Sequence, residues 1–249
     1  MKSSERESPV TAGLAGYRHA RPGTQPKHLH PAYVSSLKRA PTQPLIYMPQ
    51  TISEITGPLF GRESVDVKAF DLTKQHPGEP VGERIVVSGR VIDEDGRPIR
   101  QTLVEIWQAN AAGRYRHDMD QHDAPLDPNF TGTGHALTDS EGRYRFVTIR
   151  PGAYPWSNHY NAWRPRHIHF SLFGPAFATR LVTQMYFPGD ELLPFDPIFN
   201  CTADEKARQG LVSVFEWDST IPDTALGYRF DIVLGGREAT PMETPRGTR

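Results

Sequence analysis

Cysteine is nearly absent from this sequence: Cys201 is the only one in 249 residues. An intrachain disulfide framework and a cysteine-built zinc or iron–sulfur site are therefore excluded, and a reducing, cytoplasmic setting is expected. Charge of one sign is lacking too. The 28 basic and 29 acidic residues leave a net charge of −1, so there is no surplus of Lys and Arg to hold a polyanion by bulk attraction. No apolar run approaches the ~18 residues that would span a bilayer. The first residues, Met1-Lys2-Ser3-Ser4-Glu5-Arg6-Glu7, carry acids and no apolar stretch, so no secretory signal is expected. No strand–helix alternation appears, nor a Gly-x-Gly-x-x-Gly after a strand, which disfavours a dinucleotide-binding fold. Hydrophobic residues reach only 37%, somewhat low for a chain that buries its core alone.

Proline (23) and glycine (21) are abundant. At that density, short strands joined by turns replace long helices. Residues 1–80 read as an extended, Pro-rich N-terminal arm, broken at Pro9, Pro22, Pro26, Pro31, Pro41, Pro44, Pro49 and Pro58. One short helix fits Pro31 to Lys38 there. Tyr17, Tyr33, Tyr47 and Phe60 give the arm something to bury on its own core or on a partner.

Residues 81–240 read as one domain and 241–249 as a C-terminal tail. Strands are expected over 84–93, 101–107, 143–149, 166–173, 180–187 and 228–234, from β-branched runs bounded by turns such as Asp95-Gly96 and Asp139-Ser-Glu-Gly142. A single short helix fits 202–209, with Thr202 as its N-cap and Gly210 at its end. The expected fold class is all-β: an antiparallel β-sandwich core with long loops, the arm, and one short helix.

His167-Ile168-His169 opens one expected strand. Residues i and i+2 of a strand share a face, so both imidazoles can reach one point, and neutral imidazole suits iron, copper, nickel and zinc. Two half-buried strand histidines are the plainer reading. His28-Leu29-His30 competes, but it sits in the arm without strand geometry. Further ligands would come from loops. Asp118, Asp120, Asp123 and Asp127 offer the carboxylate of a two-His, one-carboxylate iron(II) site. Tyr115 and Tyr154 offer phenolates, hard anionic donors that favour a trivalent ion; otherwise they are packed rings with bonded hydroxyls. Spacing alone does not decide between these.

The stretch Tyr154-Pro-Trp-Ser-Asn-His-Tyr-Asn-Ala-Trp-Arg-Pro-Arg-His-Ile-His169 is dense in aromatics and places Arg164 three residues before His167. Together with Ile85-Val-Val-Ser-Gly-Arg-Val91, Leu103-Val-Glu-Ile-Trp-Gln-Ala-Asn110, Gly113-Arg-Tyr-Arg-His117 and Leu181-Val-Thr-Gln-Met-Tyr-Phe187, it resembles the intradiol ring-cleaving dioxygenases. The resemblance continues through Asp196-Pro-Ile198 and Tyr228–Leu234 and reaches back to Pro49–Gly57, so it covers most of the chain.

The resemblance implies one non-haem Fe(III) per chain, held by Tyr115, Tyr154, His167 and His169 with a solvent hydroxide. Two phenolates and a hydroxide balance the ion's three positive charges. It implies O2-dependent cleavage of a catechol between its two oxygenated carbons, with 3,4-dihydroxybenzoate as the expected substrate and aromatic catabolism as the setting. Catechol or hydroxyquinol is the alternative, and a non-catalytic assembly module is another.

Tyr154 would serve as a base and Arg164 would stabilise negative charge on the ring. Gln184 would lie near the O2 site, and Trp107, Trp156 and Ile198 would wall the pocket. Tyr33 would contact the substrate carboxylate, and Asp127 with the other loop acids would then be solvated loop residues. The resemblance further implies a homologous α subunit that lacks the iron ligands, giving an α/β hetero-oligomer. The low hydrophobic fraction and the long arm agree with a chain that buries surface on a partner.

Overall fold

The computed structural model describes residues 30–31, 69–156, 163–173 and 181–242. Among the described residues eleven strands form: β1 (Arg84–Asp93), β2 (Leu103–Trp107), β3 (Thr133–Leu137), β4 (Arg143–Ile149), β5 (Tyr154–Pro155), β6 (Trp163–Arg164), β7 (His167–Phe173), β8 (Leu181–Tyr186), β9 (Val214–Phe215), β10 (Leu226–Arg229) and β11 (Ile232–Leu234). The bounds of β1 and β4 are those read from the sequence. In β1, Ile85, Val86, Val87 and Val91 are wholly buried, the environment β-branched residues favour.

One sheet is built on β1. β4 pairs with it antiparallel, while β10 and β11 lie on it in parallel. Ile85 lies beside Leu226 and Val91 beside Ile232, so β10 and β11 keep one register. The single strand expected over 228–234 is interrupted because the Asp231 carboxylate, in place of a backbone carbonyl, accepts from the Arg90 N–H at 2.9 Å. β9 pairs antiparallel with β10 as the edge strand. The second sheet is antiparallel throughout, in the order β3-β2-β7-β8.

The two sheets face each other across one apolar core, as the all-β sandwich reading expects. Phe170 of β7 lies at its centre. Its ring centroid is 5.8 Å from Tyr144, 6.4 Å from Phe146 and 5.2 Å from Phe230, all on the opposite sheet or its connections. Every second residue of β7 (Ile168, Phe170, Leu172) enters this core, which leaves the alternate residues to the sheet's outer face.

The helices depart from the reading. α2 (Glu205–Gln209) starts two residues late, because Asp204 rather than Thr202 is the N-cap: its carboxylate accepts from the Ala207 N–H at 2.8 Å. Gly210 ends it as expected. A second helix, α1 (Pro197–Asn200), begins at Asp196, whose carboxylate accepts from the Phe199 N–H. Of the arm, residues 30–31 and 69–80 are described. A 3-10 turn at Leu72–Lys74 buries Leu72 completely. Ala69 and Phe70 offer their carbonyls to His135 of one sheet and Val147 of the other. Tyr33 and residues 32–38 of the expected arm helix lie outside the described residues.

Candidate active site

The outer face of β7 carries His167, His169 and Ser171. Cross-strand register supplies their neighbours. Trp107 of β2 and Gln184 of β8 sit on either side of His169, and Tyr186 sits beside His167. Trp107 stacks on His169, with centroids 4.7 Å apart and planes 4° from parallel. The two imidazoles meet edge to face at 4.9 Å.

Two tyrosines reach the same face from connections. Tyr115 leaves a tight turn after β2, and its N–H donates to the Asp120 carboxylate at 2.7 Å. Its hydroxyl lies 3.2 Å from His167 Nε2. Tyr154 lies in β5, directly opposite Arg164 of β6 in a two-stranded ribbon. The Tyr154 and Tyr115 rings meet edge to face at 5.0 Å, and Tyr115 is 6.3 Å from His169. The four rings that the resemblance singled out are thus neighbours, although they come from separate parts of the sequence.

The geometry fixes the tautomer of His167. Its Nδ1 is 2.7 Å from the Pro165 carbonyl, which only accepts, so Nδ1 carries the proton and Nε2 presents a lone pair. That lone pair accepts from Arg164 Nη1 at 3.0 Å and faces the Tyr115 hydroxyl. Burial, then the positive Arg164 and the neighbouring His169, hold the His167 pKa well below its ordinary range, so the ring is neutral. A buried neutral imidazole with its far nitrogen tied to a backbone carbonyl is how a metal-binding histidine is held.

Arg164 is 4% exposed, and its partners surround it. Nε and Nη2 donate to the two oxygens of Asp196, both at 3.0 Å. Nη2 also donates to Gln184 Oε1 at 2.7 Å and to the Tyr186 hydroxyl at 3.1 Å. The Trp156 ring lies 5.6 Å from the guanidinium carbon. Burial alone would lower the pKa of Arg164, but attraction to Asp196 and Tyr186 outweighs it and raises it, so the charge is permanent.

Asp196 and Tyr186 are functional neighbours that the sequence reading missed. Asp196 had a local signal, an acid before Pro197, which is the pattern of an N-cap followed by proline. Tyr186 lies two residues from Gln184 and so shares its strand face. Asp196 also starts α1, which carries the half-buried Ile198.

The loop acids need a correction. Asp118 and Asp123 are exposed, as expected of solvated residues. Asp120 and Asp127 are buried, at 5% and 8% exposure. Asp120 accepts from the N–H groups of Tyr115 and His122. Asp127 accepts from those of Val81 and Asn129. Backbone donors in compact turns take up their charge, and Arg114 Nε also lies 3.9 Å from Asp120. Among the described residues, no group of three or more His, Cys, Asp or Glu side chains is placed to share a metal, so the carboxylate alternative has no candidate there. His28 of the competing pair lies outside the described residues.

Comparison with known proteins accords with this arrangement. A family model described as dioxygenase matches residues 55–236. One described as the N-terminal part of the protocatechuate 3,4-dioxygenase beta subunit matches residues 17–51. The chain is 62% identical to the protocatechuate 3,4-dioxygenase beta chain of Burkholderia cepacia, over 88% of this chain and 94% of that one. It is 27% identical to the protocatechuate 3,4-dioxygenase alpha chain of Pseudomonas putida, over 79% of this chain and 97% of that one. Among solved structures, the 3-chlorocatechol 1,2-dioxygenase of Rhodococcus opacus 1CP shares the fold, with a TM-score of 0.53 and 23% identity over 72% of this chain and 70% of that one.

Proposed function

The chain belongs to this dioxygenase family, and from that premise we propose that it is the iron-bearing β chain of an intradiol dioxygenase that cleaves 3,4-dihydroxybenzoate with O2 to 3-carboxy-cis,cis-muconate. The observation that carries the proposal is the gathering of Tyr115, Tyr154, His167 and His169 beside a buried arginine.

The donor set fits ferric iron. Two phenol oxygens are hard anionic ligands once deprotonated, and His167 offers a fixed Nε2 lone pair. Fe(III) held by these four residues would supply Lewis acidity toward the two oxygens of a catechol. Tyr154, held as a phenolate, would accept at its oxygen the proton that one substrate hydroxyl gives up and return to the neutral phenol. Arg164, opposite Tyr154 in the ribbon, sets its guanidinium against the negative charge that builds on the ring. Gln184 borders the O2 site and holds Arg164 through Oε1. Trp107, Trp156 and Ile198 exclude water from one side.

By the resemblance, Tyr33 is the residue that would meet the substrate carboxylate. The match of residues 17–51 to the β-subunit N-terminal family supports extending the resemblance to this part of the arm. The separate alpha chain among the relatives supports an α/β hetero-oligomer. A cytoplasmic setting fits the lone cysteine; no helix among the described residues is long and apolar enough to cross a membrane.

Oxygen uptake tests the substrate. Co-expressed with its α chain, the protein should show a kcat/KM at least about 100-fold higher for 3,4-dihydroxybenzoate than for catechol, because a site built around a carboxylate penalises its loss. Uptake with catechol alone would overturn the substrate and leave the ring-cleaving chemistry standing.

A pH effect follows from His167. With iron chelated away, the buried ring stays neutral while the unfolded chain gains a proton below the ordinary value of 6.5. The unfolded state then binds more protons, so stability is full above that value and falls as the pH drops through it, by up to about 1.4 kcal/mol per pH unit. Urea midpoints between about pH 7 and pH 5 should show this slope, and His167→Gln should flatten it.

A further inference from the structure

Both tyrosines hang from one peptide oxygen. Asn110 O accepts from Gly113 N–H at 3.0 Å and from Gly152 N–H at 2.9 Å. Gly113 lies two residues before Tyr115 and Gly152 two residues before Tyr154. Both lone pairs of a single carbonyl are therefore used to tie together the two segments that carry the phenols.

The segments also touch directly. Gly113 has φ +77°, and a Cβ there would lie 2.0 Å from the Ala153 carbonyl oxygen. A Cβ on Gly152 would lie 2.5 Å from Ala111 O and from Gly113 N. Only glycine permits this approach, so no side chain stands between the two backbones.

The Asn110 side chain completes the arrangement. It is 6% exposed. Oδ1 accepts from the N–H groups of Ala112 and Arg114 at 2.9 and 3.0 Å, which closes the turn that Tyr115 leaves. Nδ2 donates to the Pro125 carbonyl at 3.0 Å, beyond the far end of the Tyr115 loop.

We infer that Asn110 is the positioning residue that sets the separation of the Tyr115 and Tyr154 hydroxyls, with Gly113 and Gly152 as the contact that keeps it fixed. This rests on the reading of both tyrosines as ferric ligands. A ligand pair is then spaced by backbone hydrogen bonds rather than by side-chain packing, which suits a site that needs its donors held within about 0.5 Å.

The test uses the iron-loaded complex with its α chain and the variants Asn110→Ala, Asn110→Asp, Gly113→Ala and Tyr115→Phe. The readouts are far-UV circular dichroism, the visible tyrosinate-to-iron absorption, and iron retained against a chelator. Asn110→Ala is expected to keep the wild-type dichroism, shift the visible band and weaken iron retention at least about ten-fold, as outer-shell changes do. Asn110→Asp keeps the Oδ1 acceptor that closes the turn but sets a carboxylate oxygen against the Pro125 carbonyl in place of the Nδ2 donor, so its loss is expected to fall between wild type and Asn110→Ala. Gly113→Ala leaves the Asn110 side chain in place, while its Cβ pushes the two backbones apart and the φ of +77° strains the turn. It gives the same loss, so the test holds even if Asn110→Ala does not fold. Wild-type band and retention in Asn110→Ala and Gly113→Ala, beside their loss in Tyr115→Phe, overturn the positioning role and leave the ligand reading intact. An unchanged band in Tyr115→Phe overturns the ligand reading, and this inference falls with it.

Discussion

Iron-loaded protein carrying Tyr115→Phe or Tyr154→Phe is expected to lose the visible absorption of the wild type in large part, and its turnover by more than about 100-fold, beyond the range for outer-shell partners. The fold should survive. The change deletes one hydroxyl from a half-buried ring and leaves the edge-to-face contact at 5.0 Å in place. Losing one hydrogen bond costs about 1 kcal/mol. Two effects are thereby separated: a change in colour and rate with a nearly constant melting temperature. For Tyr115 the loss also removes the oxygen 3.2 Å from His167 Nε2. Unchanged absorption and turnover in both variants would return the choice to a carboxylate ligand, although Asp120 and Asp127 are already committed to backbone donors.

Asp196→Ala is expected to be the most destabilising single change at the site. The carboxylate is fully buried and holds both Nε and Nη2 of Arg164. Its removal leaves a guanidinium in a site only 4% exposed, and breaking such a pair from one side costs about 3–5 kcal/mol. Loss of the cap on the Phe199 N–H adds about 1 kcal/mol. The melting temperature should fall by on the order of 10 °C. The double variant Asp196→Ala with Arg164→Met removes the unpaired charge, so it should regain much of the stability and none of the turnover. If the double variant is as unstable as the single one, the buried charge is not the cause.

What the sequence disclosed depended on how local each signal was. β1 and β4 are runs of β-branched and aromatic residues, and their ends coincide with the reading. β3, Thr133-Gly-His-Ala-Leu137, has one β-branched residue and a glycine. It is a strand because β2 offers it five partners, which no local pattern announces. The four ring-bearing residues were legible through motifs. Asp196 was not, because its role exists only once α1 is folded against β6 and β8. The loop acids failed for a related reason: burial of Asp120 and Asp127 comes from backbone N–H groups, which sequence composition does not display.

The parallel pairing of β1 has a consequence for the order of folding. On one flank β1 meets β4, which leaves the ribosome soon after it. On the other it waits for β10 and β11, encoded near the end of the chain. At cellular rates of synthesis that delay is about ten seconds. Through that interval a strand carrying Ile85, Val87 and Val91 has an open edge able to pair with a neighbouring nascent chain. Closure of that sheet is thus a late event, and the face that carries His167 and His169 can be assembled while the opposite sheet is still incomplete.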